Sequence, residues 1–99
     1  MTYFVYMLKC VSSAKKRTYV GYTKDLKNRI NKHNLGKGAK YTKGNIWKLI
    51  YKKKFSSKNK AMSYEYYLKK DKKKRFQIYD TNKWIFLFYY LLKKTIPKK

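Results

Sequence analysis

Acidic residues are scarce in this chain: 99 residues hold 4 Asp and Glu against 28 Lys and Arg, a formal balance of +24. A compact chain charged in this way repels itself and attracts polyanions, and any acid on a buried face becomes conspicuous. Cysteine occurs once, as Cys10, which excludes an internal disulfide framework and a Cys-based metal site. A reducing compartment fits, and a cytoplasmic location is expected. No apolar run is long enough to cross a bilayer. The longest, Trp84 to Leu92, is about half of the roughly 20 residues that a spanning helix needs. The apolar start is broken by Lys9 and lacks a cleavage pattern, so a secretory leader is not expected. The length suits one domain with a small core.

Aromatic residues are abundant by contrast. Twelve Tyr and two Trp supply much of the area that a small core must bury. The positive charge points first to nucleic acid and second to an anionic membrane. Composition weakens that inference. Of the basic residues 25 are Lys and 3 are Arg, and Asn, Ile, Tyr and Phe are also frequent, as in proteins of AT-rich genomes.

Hydrophobic patterning predicts an α+β fold. Thr2 to Cys10 reads as a strand and Val11 to Arg17 as a hairpin loop. Thr18 to Thr23 reads as a second strand. Gly21 inside it suggests close approach by another backbone or a ligand. Lys24 to Leu35 reads as a helix, with Thr23 as N-cap, Asp25 at the positive end and Gly36 as the stop. A Gly- and Lys-rich loop follows to Asn45, then a third strand from Trp47 to Phe55. Ser56 or Ser57 caps a second helix that runs to about Asp71. Lys72 to Lys83 is a short helix or a hinge. Trp84 to Lys94 is an apolar helix or strand.

Three side chains stand out on the helices. Arg29 and His33 are spaced i, i+4 beside the apolar stripe of Leu26 and Ile30. An Arg so placed can clamp a phosphate in fork geometry, and a His can relay a proton near neutral pH. An ordinary solvated pair is the plainer alternative. Ala61, Glu65 and Leu68 share one face of the second helix. A partly buried carboxylate needs a cation, either one of the many lysines or a hard metal such as Mg²⁺. Tyr6 and Tyr19 lie on the two hairpin strands, where packing is the default role of a Tyr. A catalytic Tyr would need its pKa lowered from about 10 by positive charge.

The triplets Phe4-Val5-Tyr6 and Tyr19-Val20-Gly21 resemble the paired motifs of the GIY-YIG nucleases. The stretch Thr23-Lys24-Asp25-Leu26 with Arg29, His33 and Asn34, the loop Gly38-Ala39-Lys40-Tyr41-Thr42 and the later Glu65 extend the resemblance over roughly Thr2 to Lys74. It is closest to small single-domain members related to structure-specific endonuclease catalytic subunits. The resemblance implies a three-stranded antiparallel sheet flanked by helices, over residues 1–82, and a one-metal active site. By position, Tyr6 corresponds to the general base and Tyr19 to a residue that orients water or phosphate. Arg29 corresponds to the arginine that stabilises the transition state, and His33 to a hydrogen-bond partner of the tyrosine base. Glu65 corresponds to the metal ligand, for Mg²⁺ with Mn²⁺ as an alternative. Gly21 leaves room for the substrate backbone, and Lys37, Lys40, Tyr41 and Lys43 complete the expected nucleic-acid contacts. Two departures are visible: Phe4 stands where the first motif has Gly, and the Asn that many members carry beyond the Glu is missing, with only Gln77 nearby.

The expected function is metal-dependent endonuclease, acting on DNA before RNA, in repair or recombination. A nucleic-acid-binding module with the same fold and little turnover is the alternative, and a basic peripheral membrane protein the third reading. No integral membrane segment is expected. A homodimer, or a partner that selects substrate, is left open. Residues 83–99 form an apolar and basic extension whose expected fate is a C-terminal apolar helix packed on the domain. Pairing with a second copy, or dipping into a membrane surface with Lys93, Lys94, Lys98 and Lys99 at the headgroups, are its other readings.

Overall fold

The computed structural model describes residues 1–81. The C-terminal extension, and the three fates considered for it, lie outside the described residues. The element order is β1 (Tyr3–Cys10), β2 (Thr18–Thr23), α1 (Leu26–Asn34), β3 (Trp47–Phe55), α2 (Lys58–Lys70) and α3 (Lys72–Thr81). The class is α+β, as the residue patterns predict.

The three strands form one antiparallel sheet in the order β2-β1-β3. Strand β1 is central, which explains why six of its eight positions are buried. Its side chains alternate between two faces. Val5 and Met7 join Val20 with Ala61 and Leu68 of α2 in an apolar cluster, flanked by Tyr64 and by Ile78 of α3. Tyr6, Leu8 and Cys10 turn to the other face and pack with Trp47, Tyr19, Leu26 and Ile30. Helix α1 therefore covers one face, and α2 with α3 the other. In the β1–β3 register Met7 pairs with Tyr51 and Leu8 with Leu49, so Ile50 is the extra residue of a bulge.

Helix α1 starts two residues later than its sequence pattern suggests. The cap is Asp25 rather than Thr23: the Asp25 carboxylate accepts from Asn28 N at 3.2 Å. Thr23 Oγ1 accepts from Asp25 N at 3.2 Å instead, an ST-type turn that aims the chain into the helix. At the other end Gly36 stops the helix with φ of +78°, a conformation that suits Gly. Ser57 caps α2 by accepting from Lys60 N. Residues 72–81 are helical, which settles the hinge alternative in favour of a short helix. Asp71 supplies its cap, accepting from Lys74 N at 3.0 Å and from the Tyr67 hydroxyl at 3.0 Å.

Candidate active site

The α1 face of the sheet gathers most of the polar side chains singled out above. Tyr6 on β1 lies opposite Gly21 on β2. A Cβ at Gly21 would stand 2.6 Å from the Tyr6 hydroxyl, so glycine is what lets the Tyr6 ring cross the edge strand. The buried Tyr6 hydroxyl is 2.8 Å from His33 Nε2. His33 sits in the last turn of α1 and is itself buried. Its Nδ1 is 2.9 Å from Thr42 Oγ1, in the loop that follows. That loop closes over His33 because Gly38 lacks a side chain: a Cβ there would lie 2.4 Å from His33 Nδ1 and 2.9 Å from its Cα.

The loop is tied down at its far end as well. Asn34 accepts from Trp47 N at 2.7 Å and donates to Trp47 O at 3.1 Å. The Trp47 indole donates to Thr42 O at 2.9 Å. The end of α1, the loop and the start of β3 are thus joined through Asn34, Thr42 and Trp47.

Tyr19 lies tilted against His33, with ring centroids 4.7 Å apart and planes 58° apart, and its ring centroid is 6.3 Å from that of Tyr6. Arg29, one turn before His33, completes the group. Its pKa is raised chiefly by a hydrogen bond with the Tyr6 hydroxyl and further by Tyr19. Its Nε is buried with no hydrogen-bond partner among the described residues, and an unsatisfied buried donor is costly to keep.

Electrostatics sharpen the roles. Burial pushes the Tyr6 phenol up to about 12, more than Arg29 pulls it down. Sequence reasoning asks for a depressed Tyr6 pKa. The structure gives the opposite, because a buried phenolate loses more hydration than Arg29 returns. The free protein therefore holds Tyr6 protonated. Burial and the Arg29 charge lower the pKa of His33, so His33 is neutral near pH 7 and able to accept a proton.

Glu65 comes from α2, on the opposite face. Its charge adds, as the smallest contribution, to the upward push on Tyr6. Its side chain is 18% exposed, and its described partner is Lys69 Nζ at 3.5 Å. Ala61 and Leu68 are buried and Glu65 lies beside them, as helical spacing predicts. That lysine is half-exposed, so the pair is weak and displaceable.

The expected nucleic-acid contacts divide. Tyr41 stacks against Tyr19 with centroids 6.3 Å apart, and the Arg17 guanidinium lies over its ring at 4.6 Å. Lys37, Lys40 and Lys43 are exposed on the loop. A cleft of about 330 Å³ adjoins Tyr19 and Tyr41, with Lys16, Lys69, Arg75 and Phe76 on its walls. Residue spacing reports neither that cleft nor the contact of Thr42 with His33, which depends on how the loop folds back. Among the described residues no helix is long and apolar enough to cross a membrane.

The chain is similar to known proteins over most of its length. The profile of the GIY-YIG catalytic domain matches residues 2–80. The UPF0213 protein YazA of Bacillus subtilis is 45% identical over 78 residues, covering 78% of this chain and 76% of YazA. A UPF0213 protein of Lactococcus lactis subsp. cremoris is 48% identical over 69 residues, 69% of this chain and 67% of that one. A solution NMR structure of the UPF0213 protein BH0048 from Bacillus halodurans shares 39% identity, covers 83% of this chain and 86% of its own, and superposes with a TM-score of 0.49.

Proposed function

This chain belongs to the GIY-YIG catalytic-domain family, and from that premise we propose that it is a metal-dependent endonuclease hydrolysing phosphodiester bonds in DNA, in repair or recombination. The family supports endonuclease activity in general. The observation that carries the finer reading is Arg29: a guanidinium set against two tyrosine hydroxyls, with one buried nitrogen left unpaired. Phosphate is the ligand that such a fork suits.

A water attacking phosphorus must lose a proton. In this reading Tyr6 takes it while passing its own proton to His33 Nε2, 2.8 Å away. A proton relay of this kind does not require a stable phenolate, so the raised pKa of Tyr6 is compatible with it. Tyr19 orients the water or a phosphate oxygen. Arg29 faces the charge that grows on the phosphoryl oxygens.

The donor set fits a hard cation that keeps most of its own water. Among the described residues there is no cluster of three or more His, Cys, Asp or Glu, and Glu65 is one mostly buried carboxylate. Mg²⁺ accepts one or two carboxylates and completes its shell with water and phosphate oxygens. Glu65 is the residue that would hold it, or Mn²⁺, with Lys69 moving aside. Bound there, the ion supplies Lewis-acid stabilisation of phosphate oxygens. Lys16, Lys69 and Arg75 along the cleft, with the exposed Lys37, Lys40 and Lys43, offer the flanking backbone a track of positive charge.

The test is a panel of duplex, branched and single-stranded DNA, with matched RNA, incubated with Mg²⁺ or with EDTA. Wild type should cut at least one DNA with Mg²⁺. Glu65→Gln should bind that DNA and not cut it. Tight binding with no cutting of any substrate would favour a binding module. Equal cutting by Glu65→Gln would remove the metal assignment.

A further inference from the structure

We propose that Thr42 is a positioning residue that locks His33 as the Nδ1–H tautomer and so makes Nε2 the acceptor for the Tyr6 hydroxyl proton. The inference rests on the proposed reaction for its purpose, and on hydrogen-bond arithmetic alone for its content. A threonine hydroxyl has one proton and two lone pairs. Thr42 Oγ1 has three neighbours. It is 3.0 Å from Ala39 O, which can only accept. It is 3.3 Å from Ala39 N, which can only donate. The third is His33 Nδ1 at 2.9 Å. Ala39 O also accepts from Thr42 N at 3.2 Å, but a 3.0 Å contact between the hydroxyl and carbonyl oxygens with no proton between them would set two acceptors against each other, so the hydroxyl proton lies there and both remaining contacts donate to the oxygen. His33 Nδ1 therefore carries a hydrogen. A neutral imidazole carries one only, so Nε2 is bare, and the Tyr6 hydroxyl at 2.8 Å must donate to it.

The surroundings allow little escape. His33 and Thr42 are both fully buried, so water does not readily replace a lost partner. Gly38 packs on the imidazole and prevents the ring from swinging away. Thr42 is itself held from behind by the Trp47 indole, which donates to its carbonyl. The chain thus runs one way: Tyr6 to His33, His33 to Thr42, Thr42 to Ala39. With the other tautomer, Nε2–H would point at the tyrosine oxygen, and the proton leaving Tyr6 would have nowhere to go.

Thr42→Val keeps the shape and removes the hydroxyl. Nδ1–H then loses its acceptor, while the Tyr6 oxygen remains available to an Nε2–H. His33 is the one histidine of the chain, so its ring nitrogens can be read without ambiguity by ¹⁵N NMR of protein labelled at histidine. Wild type and Thr42→Ser should show a pyrrole-type Nδ1 and a pyridine-type Nε2. Thr42→Val should show a protonated Nε2 in a substantial fraction of molecules. On the best substrate, Thr42→Val should lose on the order of 10²-fold in kcat, as for loss of a general base, with KM changed little and Thr42→Ser close to wild type. A wild-type spectrum with Nε2 protonated, or a Thr42→Val spectrum unchanged from wild type, overturns the lock. If Thr42→Val does not fold, the wild-type and Thr42→Ser spectra still decide it. A Thr42-dependent tautomer in a protein that cuts nothing upholds the lock and overturns the nuclease reading.

Discussion

On the α2 side of the sheet Val5, Met7, Val20, Ala61 and Leu68 close into an apolar cluster. On the α1 side the same central strand turns Tyr6 toward His33, Thr42 and Arg29. One strand serves both, because residues five and seven face one way and six the other. The apolar side gains stability from area removed from water. The tyrosine side carries buried hydroxyls, an imidazole and an unpaired guanidinium nitrogen, groups that are expensive to bury unless fully bonded. That cost is tolerated where the polar groups have a task, and the hydrocarbon opposite offsets it. Glu65 belongs to the helix on the apolar side, and its charge is felt at Tyr6 only as the weakest of the influences on that phenol.

The two faces should differ most in catalysis. Arg29→Lys keeps a charge and loses the fork. It should cut on the order of 10²–10³ more slowly than wild type while melting nearly as wild type does. A loss of only a few-fold would make Arg29 a surface cation. The opposite substitution belongs to the other face. Leu68→Ala removes a fully buried side chain and should destabilise the fold by about 2–5 kcal/mol. Its cleavage rate per folded molecule should stay near wild type. Urea denaturation with parallel rate measurements reads both quantities, and a Leu68→Ala protein that folds fully yet does not cut would erase the division between faces.

The smallest effect is acidic. His33 is held below the ordinary imidazole range by burial and by Arg29. Below about pH 6.5 the unfolded chain takes up a proton that the folded chain still refuses, so the unfolded state binds more protons there. Stability present above that range is therefore lost as pH falls below it. Urea midpoints at pH 7.5 and 5.5 measure the change; a midpoint that rises on acidification would show that His33 is charged in the fold.

Much of this molecule was legible in the sequence. The bounds of β2 and β3 follow from Thr18 to Thr23 and Trp47 to Phe55, where β-favouring residues sit between turn-rich stretches. The i, i+4 spacing of Arg29 and His33 puts both on one side of α1, and the spacing of Ala61, Glu65 and Leu68 does the same on α2. What was illegible depends on tertiary closure. Thr23 and Asp25 are both good caps, and the local turn decides for Asp25. Thr42 reads as an ordinary loop residue until Gly38 and Asn34 fold the loop back over His33. The raised pKa of Tyr6 follows from how deeply its ring is buried, which residue spacing does not report.

If the tyrosine face carries the chemistry and the apolar face the stability, Tyr6→Phe separates the two. The substitution removes one oxygen and leaves His33 Nε2 without its partner, at a cost of about 1–3 kcal/mol. Single-turnover cleavage of the best substrate should be measured well below the melting temperature, with Mg²⁺ in excess. The rate should be lower by on the order of 10²–10⁴-fold, with substrate affinity within a few-fold of wild type. A folded Tyr6→Phe protein that cuts at the wild-type rate would contradict it.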